Sequence, residues 1–418
     1  MNKHCLYCLL ILSLCEAVPA QIPHSEESFA IQNATLHLGN GKTIPNGLIG
    51  VRNGKISEII DFSIPQTTFP EYPTLLDAQG MHVYPGFILL NSTLGLSEVD
   101  AVRATLDFKE NELFSPEVRA GVAFNAEAVI PGTVRRNGVL IVQSTPRGKF
   151  VAGQSSVLAL NNRPYTQATL RISSGLHIYW PSYPAPSSEK EREGQLSARL
   201  ERIRKLENFL NAAKGADAPF LQQQVWFNLV TGELPLFVHA DGTREIWEAL
   251  TFFERFRLPR IVLVGALGGE SLIPLFKRLN VGIVMERIYE LPPGYSHSLN
   301  YRSSLLKKYL AADLCVALDY SGDMEAMGSR NLPFTAGYLM GEGLDRETVL
   351  TLLTINPARL LGLEKQIGSL EVGKQASFFL SKGDALEIIG NQVERAWIAG
   401  EEIPLETRQE RLYKTFCR

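Results

Sequence analysis

Cysteine is scarce in this chain, and most of it lies in one place. The 418 residues hold 5, and Cys5, Cys8 and Cys15 all belong to an N-terminal apolar run. Beyond that run only Cys315 and Cys417 remain, too few for a disulfide framework. Past residue 20 there is no Cys-x-x-Cys, and no His-Glu-x-x-His occurs, so no metal cage is written in one local motif. A Gly-x-Ser-x-Gly elbow is missing too, and Gly39-x-Gly41 lacks the third glycine of a dinucleotide loop. Neither sign of charge is in excess. Lys plus Arg is 41 against 44 for Asp plus Glu, a net charge of −3, the wrong signature for a dedicated nucleic-acid binder, which would show a basic face. After the leader no stretch reaches the ~18 apolar residues of a membrane span.

What is present suits a folded globular protein: 45% hydrophobic and 20% charged residues. Met1 to Ala20 has the layout of a secretory signal. Lys3 supplies the positive start, Cys5 to Cys15 the apolar run, and Val18-Pro19-Ala20 the small-residue cleavage site. The run is far short of the ~20 residues that cross a bilayer. Leu14 before Cys15 argues against lipidation. Cleavage after Ala20 would release a secreted or periplasmic chain starting at Gln21. Asn33-Ala34-Thr35 and Asn91-Ser92-Thr93 have the form of glycosylation sites.

Both ends of the mature chain predict strands. Leu48 to Arg52 and Lys55 to Ile59 flank Asn53-Gly54, a type I′ hairpin signal, and Ser377 to Leu380 and Val393 to Ile398 repeat the pattern near the C-terminus. Between them, apolar runs alternate with amphipathic helices. Val139 to Gln143, Leu234 to His239, Ile261 to Val264, Val281 to Met285 and Leu314 to Leu318 predict buried strands. Ile246, Ala249, Leu250, Phe253 and Phe256 fall on one helical face, with Thr243 as the expected cap. Leu196, Leu200, Ile203, Leu206 and Leu210 predict a second buried stripe after a charge run. Such alternation implies parallel βαβ units, and four or more of them suit a (β/α)8 barrel.

Three segments stand in a telling order. Asn46-Gly47 with Val51 to Ile56 comes first. Leu76 to Gly80 with Val83 to Ile88 follows. Thr354 to Ala358 with Gly368 to Lys374 closes the series. On these segments the chain resembles the amidohydrolase superfamily, in particular its imidazolonepropionase-like secreted members. The resemblance implies an α/β fold: a TIM-like (β/α)8 barrel over 86–363 and a small composite β-sandwich from 28–85 and 364–405. It also implies a hydrolase of non-peptide C–N bonds, with metal held by a His-x-His pair on strand one and by ligands on strands four, five, six and eight.

Here the chain departs from the pattern. The family's paired histidines fall at Asn91 and Thr93, and its strand-six histidine falls at Val264. Carboxamide and hydroxyl are poor ligands for zinc beside imidazole, thiolate or carboxylate. His239 matches the strand-five ligand, and Asp319 or Asp323 the strand-eight catalytic aspartate, with the register between them open. His177 and His297 each stand isolated. Arg147, Gln154 and Arg330 are candidates for holding a polar substrate. The expected cofactor is therefore none, or a single zinc-like divalent metal where the family holds two. Three functions are compatible with this. The first is a catalytically impaired homologue acting as a binding or partner module. The second is an active hydrolase with a reduced site, and the third is a structural secreted protein. Expected partners are a small polar amide-like ligand and either a second copy or an active relative. Neither nucleic acid nor a membrane span is expected.

Overall fold

The computed structural model describes residues 27–65, 70–99, 101–184, 188–213, 220–294 and 296–417. The expected leader and cleavage site, residues 1–20, lie outside them. Among the described residues no helix is long and apolar enough to cross a membrane.

The two flanks join in one continuous sheet. Its N-terminal strands are β1 (Phe29–His37), β2 (Thr43–Arg52), β3 (Lys55–Asp61), β4 (Thr74–Asp77) and β5 (His82–Pro85). The barrel strands come next in the chain: β6 (Phe87–Ser92), β7 (Val139–Ser144), β8 (Val151–Ala159), β9 (Thr169–Tyr179), β10 (Leu236–Ala240), β11 (Ile261–Gly265), β12 (Gly282–Met285) and β13 (Val316–Leu318). The flank sheet is completed by β14 (Phe378–Ser381), β15 (Val393–Ile398) and β16 (Glu401–Glu402), in the order β16-β15-β14-β5-β1-β2-β3 with β4 beside β1. Asn53 and Gly54 have φ of +51° and +71°, the left-handed pair that a type I′ turn requires. Phe29, Ile31, Leu36, Ile49, Val51, Phe378 and Trp397 form the core of this sheet.

The second sheet runs β13-β12-β11-β10-β9-β8-β7-β6, and a bridge from Leu90 to Asp319 brings its two ends together. The barrel is thus eight-stranded and TIM-like, with one difference from an all-parallel design. β8 pairs antiparallel with both β7 and β9. The links on either side of it, 145–150 and 160–168, are too short for a crossover helix and hold only the single turn Tyr165–Ala168.

The helix over Thr243–Glu254 buries Ile246, Ala249, Leu250, Phe252 and Phe253, as its periodicity predicts. Its cap differs. Gly242 is the N-cap, and the Thr243 hydroxyl donates to the Gly268 carbonyl at 2.7 Å. The stripe on helix Glu189–Ala212 also shifts in phase. Leu206 and Leu210 are buried, whereas Leu200 is 56% exposed and Arg199 takes the inward position. Arg199 tolerates that place because it pairs with Glu248 and its guanidinium covers the Tyr183 ring at 3.9 Å.

The flank sheet meets the barrel through aromatic rings. Phe379 stacks on Tyr84 at 5.4 Å and sets its edge against Phe87 at 5.1 Å. Gly138, at the start of β7, has φ +87°, and a Cβ there would lie 2.5 Å from the Phe379 ring. Both the backbone and the space demand glycine. Gly138→Ala should destabilise the protein by about 2–4 kcal/mol, read as a lower urea midpoint. An unchanged midpoint would mean that the ring contact does not couple the two sheets.

Candidate functional site

The seven parallel strands end, on their C-terminal side, at a cavity of about 740 Å³ lined by Asn91, Thr93, Leu106, Phe108, Arg147, Tyr179, His239, Glu286, Asp323, Met324 and Glu325, with Ser321 and Gly322. This size lies within the ~300–1,000 Å³ of small-molecule sites.

β6 delivers Asn91 at its end. The residue has φ +49°, a left-handed conformation that asparagine adopts more readily than most side chains, and it is fully buried. Burial also removes it as a glycan acceptor. Its Nδ2 donates to Asp319 Oδ2 at 2.7 Å, and its Oδ1 accepts from Arg147 Nη1 at 2.9 Å. Thr93 contributes its backbone, whose N–H donates to Glu325 Oε1 at 2.8 Å.

Arg147 lies just past β7, where its N–H donates to the Phe108 carbonyl. Its Nη2 is shared between the Asn91 carbonyl at 2.7 Å and the Glu325 carboxylate at 2.9 and 3.0 Å. Burial alone would lower the pKa of this guanidinium, but Tyr179, Glu325 and Asp319 around it raise it above its ordinary value. It is a permanent cation at the centre of the mouth.

Of the two candidate aspartates, Asp319 directly follows β13, whereas Asp323 lies in the loop beyond it. Asp319 is buried and accepts from Asn91, from the Ser321 N–H at 3.2 Å and from the Ser321 hydroxyl at 2.9 Å. Burial raises its pKa against the lowering influence of those donors and of Arg147. Asp323 is exposed on the cavity rim, and its backbone carbonyl accepts from Arg287.

His239, on β10, meets His177, on β9. His177 Nδ1 and His239 Nε2 lie 3.0 Å apart, so one ring donates and the other accepts. Burial and the Arg147 charge hold both pKa values well below the usual range, so both rings are neutral at pH 7. Tyr179 stacks on His239 at 4.0 Å, and Phe237 stacks on His177 at 4.7 Å. Two buried polar atoms here have no partner, His177 Nε2 and the Tyr179 hydroxyl. The hydroxyl lies near Arg147 without a hydrogen bond of good geometry.

Val264 is buried on β11 beside His239 and offers no polar atom. Gln154 and Arg330 are not brought to the cavity. Ser155 on β8 points inward, where it accepts from Gln143 Nε2 at 2.9 Å. By strand alternation its neighbour Gln154 points outward, and it donates to the Pro116 carbonyl at 2.8 Å. Arg330 is exposed, and its carbonyl accepts from Asn137 just before β7, at the opposite end of the barrel. Sequence reasoning missed Tyr179, Glu286 and Glu325 and treated His177 as isolated. The available signal was the i, i+2 spacing of His177 and Tyr179 at the end of a strand, which puts both on one face. Among the described residues no group of three or more His, Cys, Asp or Glu side chains is arranged to hold a metal ion.

Glu286 follows β12 directly. Burial, and then the charges of Asp319 and Asp241, push its pKa from 4.5 up to about 8. The protonated form is therefore the one that folding favours. The stability it supports is complete below about pH 4.5 and is lost as pH rises through about 8. Glu286→Gln should gain melting temperature relative to wild type between pH 5 and pH 9, measured by scanning calorimetry. A constant difference across that range would show that the carboxyl titrates normally.

Residues 313–402 match the model of the amidohydrolase family. In sequence, the chain is 30% identical over 104 residues to an imidazolonepropionase of Syntrophobacter fumaroxidans, covering 25% of this chain and 24% of that protein. It is 32% identical over 74 residues to a 5-methylthioadenosine/S-adenosylhomocysteine deaminase of Teredinibacter turnerae, covering 14% of this chain and 17% of that one. The chain thus spans about a quarter or less of the length of these relatives. In structure, an amidohydrolase of Thermotoga maritima superposes with a TM-score of 0.77 at 21% identity, over 90% of this chain and 99% of that chain. A zinc-bound adenosine deaminase of Xanthomonas campestris gives 0.54 at 16% identity, over 94% and 99%. At these identities the likeness is one of fold. The fold is thus that of these amidohydrolases, and the match to the family's sequence model is confined to the closing segment.

Proposed function

We propose that this is an exported member of the superfamily whose barrel mouth binds a small polar, amide-like ligand without metal-assisted hydrolysis. The observation that carries this reading is the Arg147 guanidinium, hydrogen-bonded to Asn91 and Glu325 in the middle of the mouth. The residues there do not fit a zinc centre. A carboxamide and a hydroxyl occupy the paired-ligand positions, and a valine occupies the strand-six position. His239 Nε2 is engaged with His177. Asp319 is engaged with Asn91 and Ser321. A divalent ion among these groups would also meet the positive charge of Arg147.

The cavity nevertheless has the makings of a polar binding site. Tyr179 brings an unpartnered buried hydroxyl to it, a donor for a ligand carbonyl. The carboxyl groups of Glu286 and Glu325 can accept from a ligand N–H, and Leu106, Phe108 and Met324 supply apolar wall. An open cavity of about 740 Å³ argues against a purely structural role. A second reading keeps catalysis, because His239 lines this cavity and Asp319 stands beside it as a possible base and acid. The hydrogen bonds that already occupy both groups disfavour it.

Metal analysis of the purified mature protein, paired with calorimetry and product assays on cyclic amides and short peptides, tests both readings. The expected outcome is far less than one metal per chain, binding heat for a cyclic amide, no product, and roughly fivefold to tenfold weaker binding in Tyr179→Phe. Stoichiometric zinc whose removal abolishes hydrolysis would overturn the proposal. Turnover that is lost in His239→Ala without any metal would favour the second reading.

A further inference from the structure

We propose that Arg147 is the barrel's built-in cation: its tethered guanidinium fastens the seam between the first and last barrel strands, a task that a bound metal ion could otherwise perform. The proposal rests on the metal-free reading of the mouth.

The seam is the weakest closure in the barrel. β6 and β13 share only the bridge between Leu90 and Asp319. Below it the gap is filled by the backbone of residues 352–353. There the Leu318 N–H donates to the Leu352 carbonyl at 3.2 Å and the Ile88 N–H to the Leu353 carbonyl at 2.8 Å. Above it only side chains cross. Asp319, after β13, accepts from Asn91 on β6, and Asn91 accepts from Arg147. Arg147 also holds Glu325, whose carboxylate gathers the N–H of Thr93 from the β6 side and that of Gly322, at 3.0 Å, from the β13 side. Glu325 thus spans the seam, and Arg147 neutralises it.

Both partners are largely withdrawn from water, with side chains 18% and 11% exposed. Removing one member of such a pair leaves an uncompensated buried charge, whereas removing both is far milder. The guanidinium's planar fork suits this place, because it serves a carboxamide, a backbone carbonyl and a carboxylate at once. A lysine would keep the charge and lose that geometry. A cation attached to the chain needs no loading, so folding of this barrel does not depend on divalent metal.

The test is a melting-temperature cycle on the full mature chain, with wild type, R147M, E325Q, the double variant and R147K, each in chelator and in added zinc. Wild type should melt at the same temperature in both solutions. R147M should melt roughly 10 °C lower, the double variant should recover more than half of that loss, and R147K should fall between wild type and R147M. If R147M fails to fold, E325Q supplies the other corner, because it must also melt low and be rescued in the double variant. Losses that simply add in the double variant would overturn the proposal, as would an R147M that melts with wild type. Either result, found in protein free of metal, would leave the metal-free reading standing. Zinc at one ion per chain, or a wild type destabilised by chelator, would remove that reading and this proposal with it.

Discussion

A carboxylate taken out of water needs a cation, a set of donors or a proton, and the barrel mouth crowds three such groups together. Glu325 receives the cation, through Arg147. Asp319 receives donors, from Asn91 and Ser321. Glu286 keeps its proton, because burial and its acidic neighbours raise its pKa. The same arrangement accounts for the histidines. Burial keeps both imidazoles neutral, the fixed positive charge nearby adds to that, and neutral rings can share one hydrogen bond. Burial thus sets the demand at each titratable group of the mouth, and each group meets it by a different means, with one guanidinium within reach of them all.

The architecture puts the guanidinium there. Because β8 is reversed, the chain turns directly from β7 into it, and Arg147 lies in that turn rather than leading into a helix. The long segment after β6 then pins the turn from above. Lys109 bridges to Arg147, Phe114 to Val151 and Arg119 to Gln154, so the backbone that carries the guanidinium is held on both sides. At the other end of the barrel the flank sheet packs its rings against the start of β7 around Gly138. The strand that delivers Arg147 is therefore fixed at both ends.

Much of this was legible in the sequence wherever the signal was local. The Asn53-Gly54 hairpin, the helix face over Thr243–Glu254 and the alternation of the middle region depend on neighbouring residues, and the structure contains all three. The polar residues at Asn91 and Thr93 stand at the end of the first barrel strand, where the resemblance puts them. What escaped was set by tertiary contact. Arg147 and Glu325 are 178 residues apart, and nothing near either one announces the other. His177 gains its meaning only from the strand pairing that sets it beside His239. Gln154 was misread for a simpler reason. On a strand, a shift of one residue changes the face, and its neighbour Ser155 holds the inward place. The Leu200 stripe failed because an arginine with both an acidic and an aromatic partner can outcompete a leucine for an inward position.

If a guanidinium stands in for a metal, as proposed above, there is a chemical consequence. A metal ion with an open coordination position binds water and lowers its pKa to about 7, which supplies a nucleophile at neutral pH. A guanidinium does neither. It has no open coordination position, and it stays protonated across the accessible pH range. Those donors of Arg147 that reach Asn91 and Glu325 are also committed within the protein. On the reading proposed above, the mouth keeps the electrostatic means to hold a polar ligand and loses the means to deliver hydroxide to it. Recovering hydrolysis would then take more than restoring histidines at Asn91 and Thr93. The carboxylates would first have to be released from Arg147, and the seam would need another cation before the barrel could give that one up.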